Sequence, residues 1–296
     1  MTQSPIIIIG AGLAGVTSFY QLAARGMDVV LIDGEAQVAQ GASFANGAVL
    51  HPSLPDPWNN PGIGWPLLAS VLNPLAPMKL HLGQVPKLLG WGASFMRNAA
   101  PARHRAITQA NYHLAQYSTR QTDVLREALG LQFEASAPGT LKLFHTAKER
   151  ASALAMAQLL APHGLVYQAL DREALLAREP SLAQAADSLT GALYFPDDRV
   201  GNAQVFCQQL LSHAQRLGGE LLLGAKVTRL HTQGHRVVGV EVDGEFRRGQ
   251  VLVSAGVGAR AILAPLGINL PVQPAKGYSL TLSTQAIAGP QLAHPL

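Results

Sequence analysis

Ile6-Ile7-Ile8-Ile9-Gly10-Ala11-Gly12-Leu13-Ala14-Gly15 is the stretch on which the fold turns. Four β-branched residues are too short for a helix and apolar throughout, as a parallel strand covered on both faces should be. Three spaced glycines follow at once. Leu13, Val16, Tyr20 and Ala23 then recur at helical spacing until Gly26 supplies a stop. Residues 28–33 read as a second strand, Val29 to Ile32 apolar, that closes on Asp33. Each glycine has a separate duty: Gly10 permits the tight turn, Gly12 lets the backbone approach a diphosphate, and Gly15 lets the helix pack closely on the strand. The diphosphate then sits at the positive end of the helix. Asp33, 23 positions after Gly10, stands where a carboxylate accepts both ribose hydroxyls of an adenosine and repels a 2′-phosphate. NAD and FAD both remain open on this motif.

The next segment narrows the choice. Gly41-Ala42-Ser43-Phe44-Ala45-Asn46-Gly47-Ala48 is small and polar and lacks the period of a helix or strand. An NAD domain normally proceeds to another strand-helix unit at this point. A loop rich in hydroxyl, amide and backbone N–H groups suits the far end of a longer, flavin-bearing dinucleotide. The run from Pro5 to Ala24 is neither a signal peptide nor a membrane span, because no basic residue precedes it and glycines, Gln21 and two hydroxyl residues interrupt it.

The 296 residues suggest two domains at roughly 150 residues each. Apolar residues make up 48% and charged residues 14%, against about a quarter charged in ordinary globular chains, which excludes a disordered chain and a coiled coil. The net charge is +4, but the basic residues lack the aromatic-interleaved clustering of a nucleic-acid surface. The charge allows an anionic substrate or cofactor. Cys207 is the sole cysteine, so no internal disulfide and no cysteine-based metal site forms. No metal site is expected, and the chain reads as intracellular. Cys207 itself reads as a small buried hydrophobe.

Residues 51–103 hold many prolines with Trp58, Trp65 and Trp91 and predict irregular covering structure with short helical patches at most. A long amphipathic helix runs from Arg105 to Gly130, with Ile107, Ala110, Leu114, Tyr117, Val124 and Ala128 on its inward face. Ahead of it Arg97, Arg103, His104 and Arg105 form a basic cluster, readable as a solvated helix entry or as a docking point for an anionic membrane. Strands over 140–145, 165–170 and 191–195 and helices over 148–160 and 172–177 suggest an α+β domain inserted between cofactor segments. Asn202 caps a helix through Leu217, with Phe206, Leu210 and Leu217 inward. Strands over 220–223, 225–230 and 236–242 follow, then an Asp243-Gly244 hairpin signal and a buried strand over 251–253, which returns to the parallel sheet. The fold class is therefore α/β: a Rossmann-like FAD-binding domain over 1–50 and 197–272, with a substrate domain over 51–196 and 273–296.

In this order the chain resembles the small, FAD-bearing subunit of bacterial D-amino acid dehydrogenase, within the D-amino acid oxidase-like superfamily. The resemblance is carried by Ile6 to Gly15, Val30 to Glu35, Ser43 to Gly47, Gly139 to Phe144, Pro196-Asp197-Asp198 with Gly201, and Pro274 to Leu280. The opening fingerprint is common to many flavoproteins; Lys276-Gly277-Tyr278-Ser279-Leu280 and the strand after Gly139 are more particular to this group. The resemblance implies FAD, oxidation of D-amino acids to 2-oxo acids with release of ammonia, and electron delivery to a membrane acceptor, a quinone or a partner subunit. It implies a cytoplasmic protein, peripheral on the inner membrane.

The resemblance also assigns sites. Gly10, Gly12 and Gly15 would face the diphosphate and Asp33 the adenosine ribose. Ser43 and Asn46 would line the stretch towards the flavin, and Val227 would meet the adenine through its backbone. Ala255 and Gly256 match a small-residue turn against the cofactor. Ala11, Leu13, Ala14, Gly34 and Gly47 complete the cofactor set. Lys276 and Tyr278 are the catalytic candidates on the substrate side, with His51 a weaker one. Family members continue past the point where this chain stops, through an Arg-Pro, a Pro-Asp-Gly and a Gly-His-Gly run that supply the carboxylate clamp. The resemblance thus implies that the C-terminal part is missing and that turnover by residues 1–296 is poor. An inactive FAD-binding remnant and an O₂-using amine oxidase for glycine or sarcosine are the rivals; Lys276 to Leu280 favours the dehydrogenase, the missing arginine the remnant.

Overall fold

The computed structural model describes residues 4–44, 46–70, 83, 85–275, 277 and 292–296. In chain order they form β1 (Ile6–Ile9), α1 (Leu13–Ala23), β2 (Val29–Asp33), β3 (Val49–Leu50), α2 (Gly64–Ser70), α3 (Val85–Asn98), α4 (Pro101–Leu129), β4 (Thr140–Phe144), α5 (Ala147–Leu160), β5 (Gln168–Leu170), α6 (Arg172–Arg178), β6 (Gly191–Phe195), β7 (Arg199–Val200), α7 (Ala203–Arg216), β8 (Glu220–Leu223), β9 (Val227–Gln233), β10 (Arg236–Val242), β11 (Glu245–Arg248), β12 (Gln250–Val253) and α8 (Ala259–Leu263). Contacts divide the chain into two units: Met1–Val49, Leu125–Ser136 and Val200–Leu282 in the first, Leu50–Val124, Ala137–Arg199 and Ser283–Leu296 in the second.

The first unit is built on a parallel sheet in the order β12-β1-β2-β8. Ile6 stands opposite both Val29 and Gln250, and Val30 opposite Glu220. Because side chains alternate along a strand, β1 and β2 feed two cores at once. Ile8, Val29 and Leu31 pack with Val16 and Phe19 of α1 and with Phe206, Cys207 and Leu210 of α7. Ile7, Ile9, Val30 and Ile32 pack instead with Leu230, Val240 and Val242 of the antiparallel β11-β10-β9 sheet. Both sides of β1 and β2 are thus covered, which is why the two strands read as unbroken apolar runs. Asp243 and Gly244 take left-handed φ values of 51° and 89° and close the β10–β11 hairpin, as the sequence predicts. The segment Leu125–Ser136, outside the boundaries read from the sequence for the cofactor domain, belongs to this unit: Leu131 and Phe133 are buried in the α1–α7 core.

The second unit holds the antiparallel sheet β4-β6-β5. Tyr112 of α4 and Leu160 of α5 pack with Phe144, Leu193 and Phe195 in one cluster, while Leu175 of α6 packs with Leu141, Leu170 and Ala192 in another. Thr146 and Glu149 form a reciprocal capping box at the start of α5, and Asp171 caps α6.

The structure corrects three expectations drawn from the sequence. Residues 85–98, read as irregular, are a four-turn helix; Pro86 is tolerated because it lies in the first turn, where an N–H has no helical partner. The apolar row of α4 faces outward: Leu114 is 68% exposed, and Tyr117 and Val124 are exposed too. Its buried face is His104, Thr108, Tyr112 and Thr119. That face is polar in composition yet satisfied, since Thr108 and Thr119 donate to the His104 and Ala115 carbonyls and Gln116 donates to the Tyr112 hydroxyl at 3.1 Å. Leu217, expected inward, is exposed because α7 ends before it.

Candidate functional site

The candidate site lies at the carboxyl end of the parallel sheet, where β1 turns into α1, and every described residue of it belongs to the first unit. Gly10 has φ of 104°, and a Cβ there would come within 2.8 Å of the Ser254 and Ala255 backbone. Only glycine fits both demands. A Cβ on Gly15 would lie 1.7 Å from the Gly10 carbonyl oxygen, so this glycine sets how closely α1 approaches β1. A Cβ on Gly12 would meet only the Ser43 hydroxyl, at 3.2 Å. Gly12 therefore matters for what approaches it. Gly12 is the N-cap of α1 but makes no side-chain cap, and no acidic residue stands in the first turn. The Leu13 N–H donates to the Ser43 hydroxyl at 3.1 Å. The amino end of α1 is thus open to an anion, with Ser43 beside it.

Asp33 stands at the end of β2 and reaches across to this turn. Its Oδ2 accepts the Ala11 N–H at 2.5 Å and its Oδ1 the Glu35 N–H at 2.8 Å. Each carboxylate oxygen keeps lone pairs for a further donor, such as a ribose hydroxyl. Ala39 N–H donates to the Ala11 carbonyl, which brings the segment after Gly34 back over the turn. Ala225 N–H donates to the Asp33 carbonyl at 3.0 Å, so Val227 opens β9 two residues from a direct tie to Asp33. The Ala255-Gly256 turn abuts Gly10, and the Ser254 hydroxyl donates to the carbonyls of Ile9 and Gly10 at 2.9 Å each. Ser254 is the residue that sequence reasoning missed; its only signal was a hydroxyl at the end of an apolar strand. Asn46 accepts the Ala48 N–H at 3.1 Å, and Gly47 has φ of 85°. These two residues shape their own loop.

A helix terminus whose N-cap is a glycine, a missing side chain there that leaves an approach, and a carboxylate at the end of the neighbouring strand together define a dinucleotide-binding protein. The donor set fits the adenosine diphosphate half of FAD, with Ala11, Leu13 and Ala14 carrying the backbone of the turn.

The chain belongs to the family described as FAD dependent oxidoreductase (DAO), whose model matches residues 5–295. It is an oxidoreductase-family protein with FAD as cofactor. It is 33% identical over 277 residues to a D-amino acid dehydrogenase from Vibrio vulnificus strain CMCP6, and 32% over 278 residues to one from Vibrio cholerae serotype O1 strain M66-2. These alignments cover 93% and 94% of this chain and 66% of each relative, so the chain spans about two thirds of their length. Among solved structures, L-proline dehydrogenase from P. horikoshii superposes with a TM-score of 0.66 at 18% identity over 90% of this chain and 56% of that one. Glycine oxidase from Geobacillus kaustophilus gives 0.61 at 20% identity over 91% and 60%. At these identities the likeness is one of fold.

Lys276 and Tyr278 lie outside the described residues. His51, in the second unit, is half-buried, and its Nδ1 is buried without a hydrogen-bond partner. Nearby in that unit, buried Asp198 accepts the Ser53 hydroxyl at 2.6 Å and the Thr140 hydroxyl at 2.5 Å. Burial pushes the Asp198 carboxyl above its usual range, against the pull of those hydroxyls. Glu179, equally buried, is held below its usual range: burial opposes its charge, but Ser181, the His294 ring and the Ala293 and His294 N–H groups all donate to it. Cys207 is fully buried, and burial alone pushes its thiol up to about 12, in keeping with a core residue. Among the described residues no metal-holding cluster occurs, and no helix is long and apolar enough to cross a membrane.

Proposed function

We propose that the protein carries out FAD-dependent oxidative deamination of D-amino acids, giving 2-oxo acids and ammonia, and passes the electrons to a respiratory acceptor. The observation that carries this reading is the 33% identity to D-amino acid dehydrogenase across 93% of the chain, joined to an intact dinucleotide turn. FAD, when bound, supplies the acceptor for the hydride at its N5. The chain's share is to bind and orient. Gly10, Gly12 and Gly15 admit the diphosphate to the end of α1, the Ser43 hydroxyl, held by the Leu13 N–H, offers it a hydrogen bond, and Asp33 holds the ribose. Val227, Ala255 and Gly256 border the cofactor, and Asn46, Gly34 and Gly47 shape the loops beside it. Lys276 and Tyr278 are the residues proposed to fix the substrate, a cation and a hydroxyl suited to its carboxylate. The substrate loses the Cα hydrogen as hydride and one proton from its amine; the imino acid released adds water and breaks to 2-oxo acid and ammonia. Position, more than a general base, is what the protein must provide.

The test is anaerobic mixing of the FAD-loaded protein with D-alanine or L-alanine while the flavin's visible band is followed. Bleaching by D-alanine alone, slow in residues 1–296 and passed on to an artificial acceptor rather than to O₂, is expected. Bleaching by L-alanine or glycine in preference to every D-amino acid overturns the assignment, as does the absence of any bleaching by D-amino acids on prolonged incubation.

A further inference from the structure

The row Ile107, Ala110, Leu114, Tyr117, Gln121 and Val124 on α4 advances by three and four residues in strict alternation. A straight helix repeats near 3.6 and drifts off such a pattern, whereas a seam that holds 3.5 is what two helices wound about each other require. The row lies wholly in the second unit and is open: Leu114 is 68%, Tyr117 58% and Val124 55% exposed, Ala110 and Gln121 are exposed, and Ile107 is half-buried. The buried face of α4, His104, Thr108, Tyr112 and Thr119, stands roughly 150° around the helix. One face of α4 thus serves its own fold, and a second, apolar face is left over. Charge is also divided along the helix. Arg103 and Arg105 are exposed near its start, and no acidic residue precedes Asp123 in it. Glu127, in the last turn, has a side chain 75% exposed.

We propose that two copies of the chain pair through this row, α4 antiparallel to α4, about a two-fold axis between Leu114 and Tyr117. In a copy turned end over end, each Leu114 meets the other's Tyr117 and each Ile107 the other's Val124. Gln121 meets Ala110, whose small side chain leaves the amide room to reach water. At both ends of the seam Arg103 comes beside the second copy's Glu127. A parallel pair would set Arg103 against Arg103 and Gln121 against Gln121, so the charge along the helix selects the reversed copy. Arg120 and His113, which flank the middle, are engaged within their own chain: Arg120 donates to the Gln116 side-chain oxygen at 2.8 Å, and the His113 ring lies edge-on to that of His163. The interface is isologous, so every contact occurs twice. It is also small and of the transient class, with a dissociation constant expected on the order of 10 µM. At sub-micromolar concentration the chain is single, and its unfolding is then blind to Leu114. The pairing needs neither substrate nor turnover.

The experiment is sedimentation velocity of the FAD-loaded protein from about 1 to 200 µM, a range that spans that dissociation constant. The mass should climb from one 31.2 kDa chain to two. Leu114→Glu, which places a charge in the seam twice, should weaken association at least ~100-fold. Arg103→Glu should weaken it, and Arg103→Glu with Glu127→Arg should restore it. Cysteine cross-linking reads the register, because the sole native thiol, Cys207, is fully buried. Ala110→Cys mixed with Gln121→Cys should form a disulfide on mild oxidation, and neither variant alone should, since like positions would stand more than about 7 Å apart. Retention of the flavin spectrum shows that each variant is folded. A one-chain mass across the range, association untouched by Leu114→Glu, or no rescue by the charge exchange overturns the proposal. So does cross-linking of Ala110→Cys or Gln121→Cys with itself, which assigns a parallel pair.

Discussion

Asp33 has two sets of duties. It was legible in the sequence as a ribose acceptor, but its bonds to the Ala11 and Glu35 N–H groups are tertiary facts. Asp33→Ala should weaken FAD binding at least ~10-fold in equilibrium titration, since charge-assisted hydrogen bonds contribute about 1.5–3 kcal/mol each; unchanged affinity would remove the ribose role. Gly12→Val should abolish retention of FAD while leaving the far-ultraviolet dichroism intact, because its side chain would meet only the Ser43 hydroxyl in the protein but would occupy the diphosphate's approach. A yellow, stoichiometric Gly12→Val protein contradicts the site. The two buried carboxyls of the second unit should respond to pH with opposite sign. Asp198 is raised, so its contribution to stability is full below the ordinary aspartate value and lost as pH rises through its own. Glu179 is lowered, so its contribution is present above the ordinary glutamate value and lost as pH falls through its own. In denaturant unfolding between about pH 3 and 7, the stability of the parent relative to Asp198→Asn should shrink as pH rises, and relative to Glu179→Gln should grow. Parallel trends for the pair would refute this.

At the scale of elements, α4 separates periodicity from burial. Its apolar row was visible in the sequence and its existence as a long helix followed; its orientation did not. The tertiary packing buries Tyr112 between α5 and β6 residues, and small threonines that bond their own helix carbonyls complete that face. Tyr112→Ala should therefore cost about 3–5 kcal/mol by denaturant unfolding, while Leu114→Ser should stay within about 0.5. The reverse ranking would restore the face read from the sequence. In β1 and β2 the two levels agree, because a strand that feeds both the α1–α7 core and the β9–β11 layer must be apolar at every position.

For the whole molecule, cofactor and fold are linked. FAD bound to the native state alone should raise the unfolding free energy by about 2.7 kcal/mol at a hundred times its dissociation constant. Thermal unfolding should shift upward with FAD and not with NADP, whose 2′-phosphate Asp33 repels. A shift of equal size with NADP would show that the carboxylate does not face the ribose. All described residues of the site fall in the first unit, so the shift should appear in the transition of that unit.

Residues 6–33 alone determined the strand, turn and helix, the order of the first two strands and the place of a diphosphate. Each rests on local terms: β-branched residues that suit a strand covered on both faces, a glycine that alone tolerates φ of 104°, and a helix terminus with unpaired N–H groups. The closing of the site was decided elsewhere. Ser254 and Ala255 reach Gly10 only because β12 returns beside β1 from some 240 residues away in sequence. Leu125–Ser136 joins the first unit only because Leu131 and Phe133 find the α1–α7 core. Which face of α4 is buried was settled by which side chains fit the available space with every polar group paired. Pattern in the sequence records what a residue is able to bury; the partner that buries it exists only once distant segments have met.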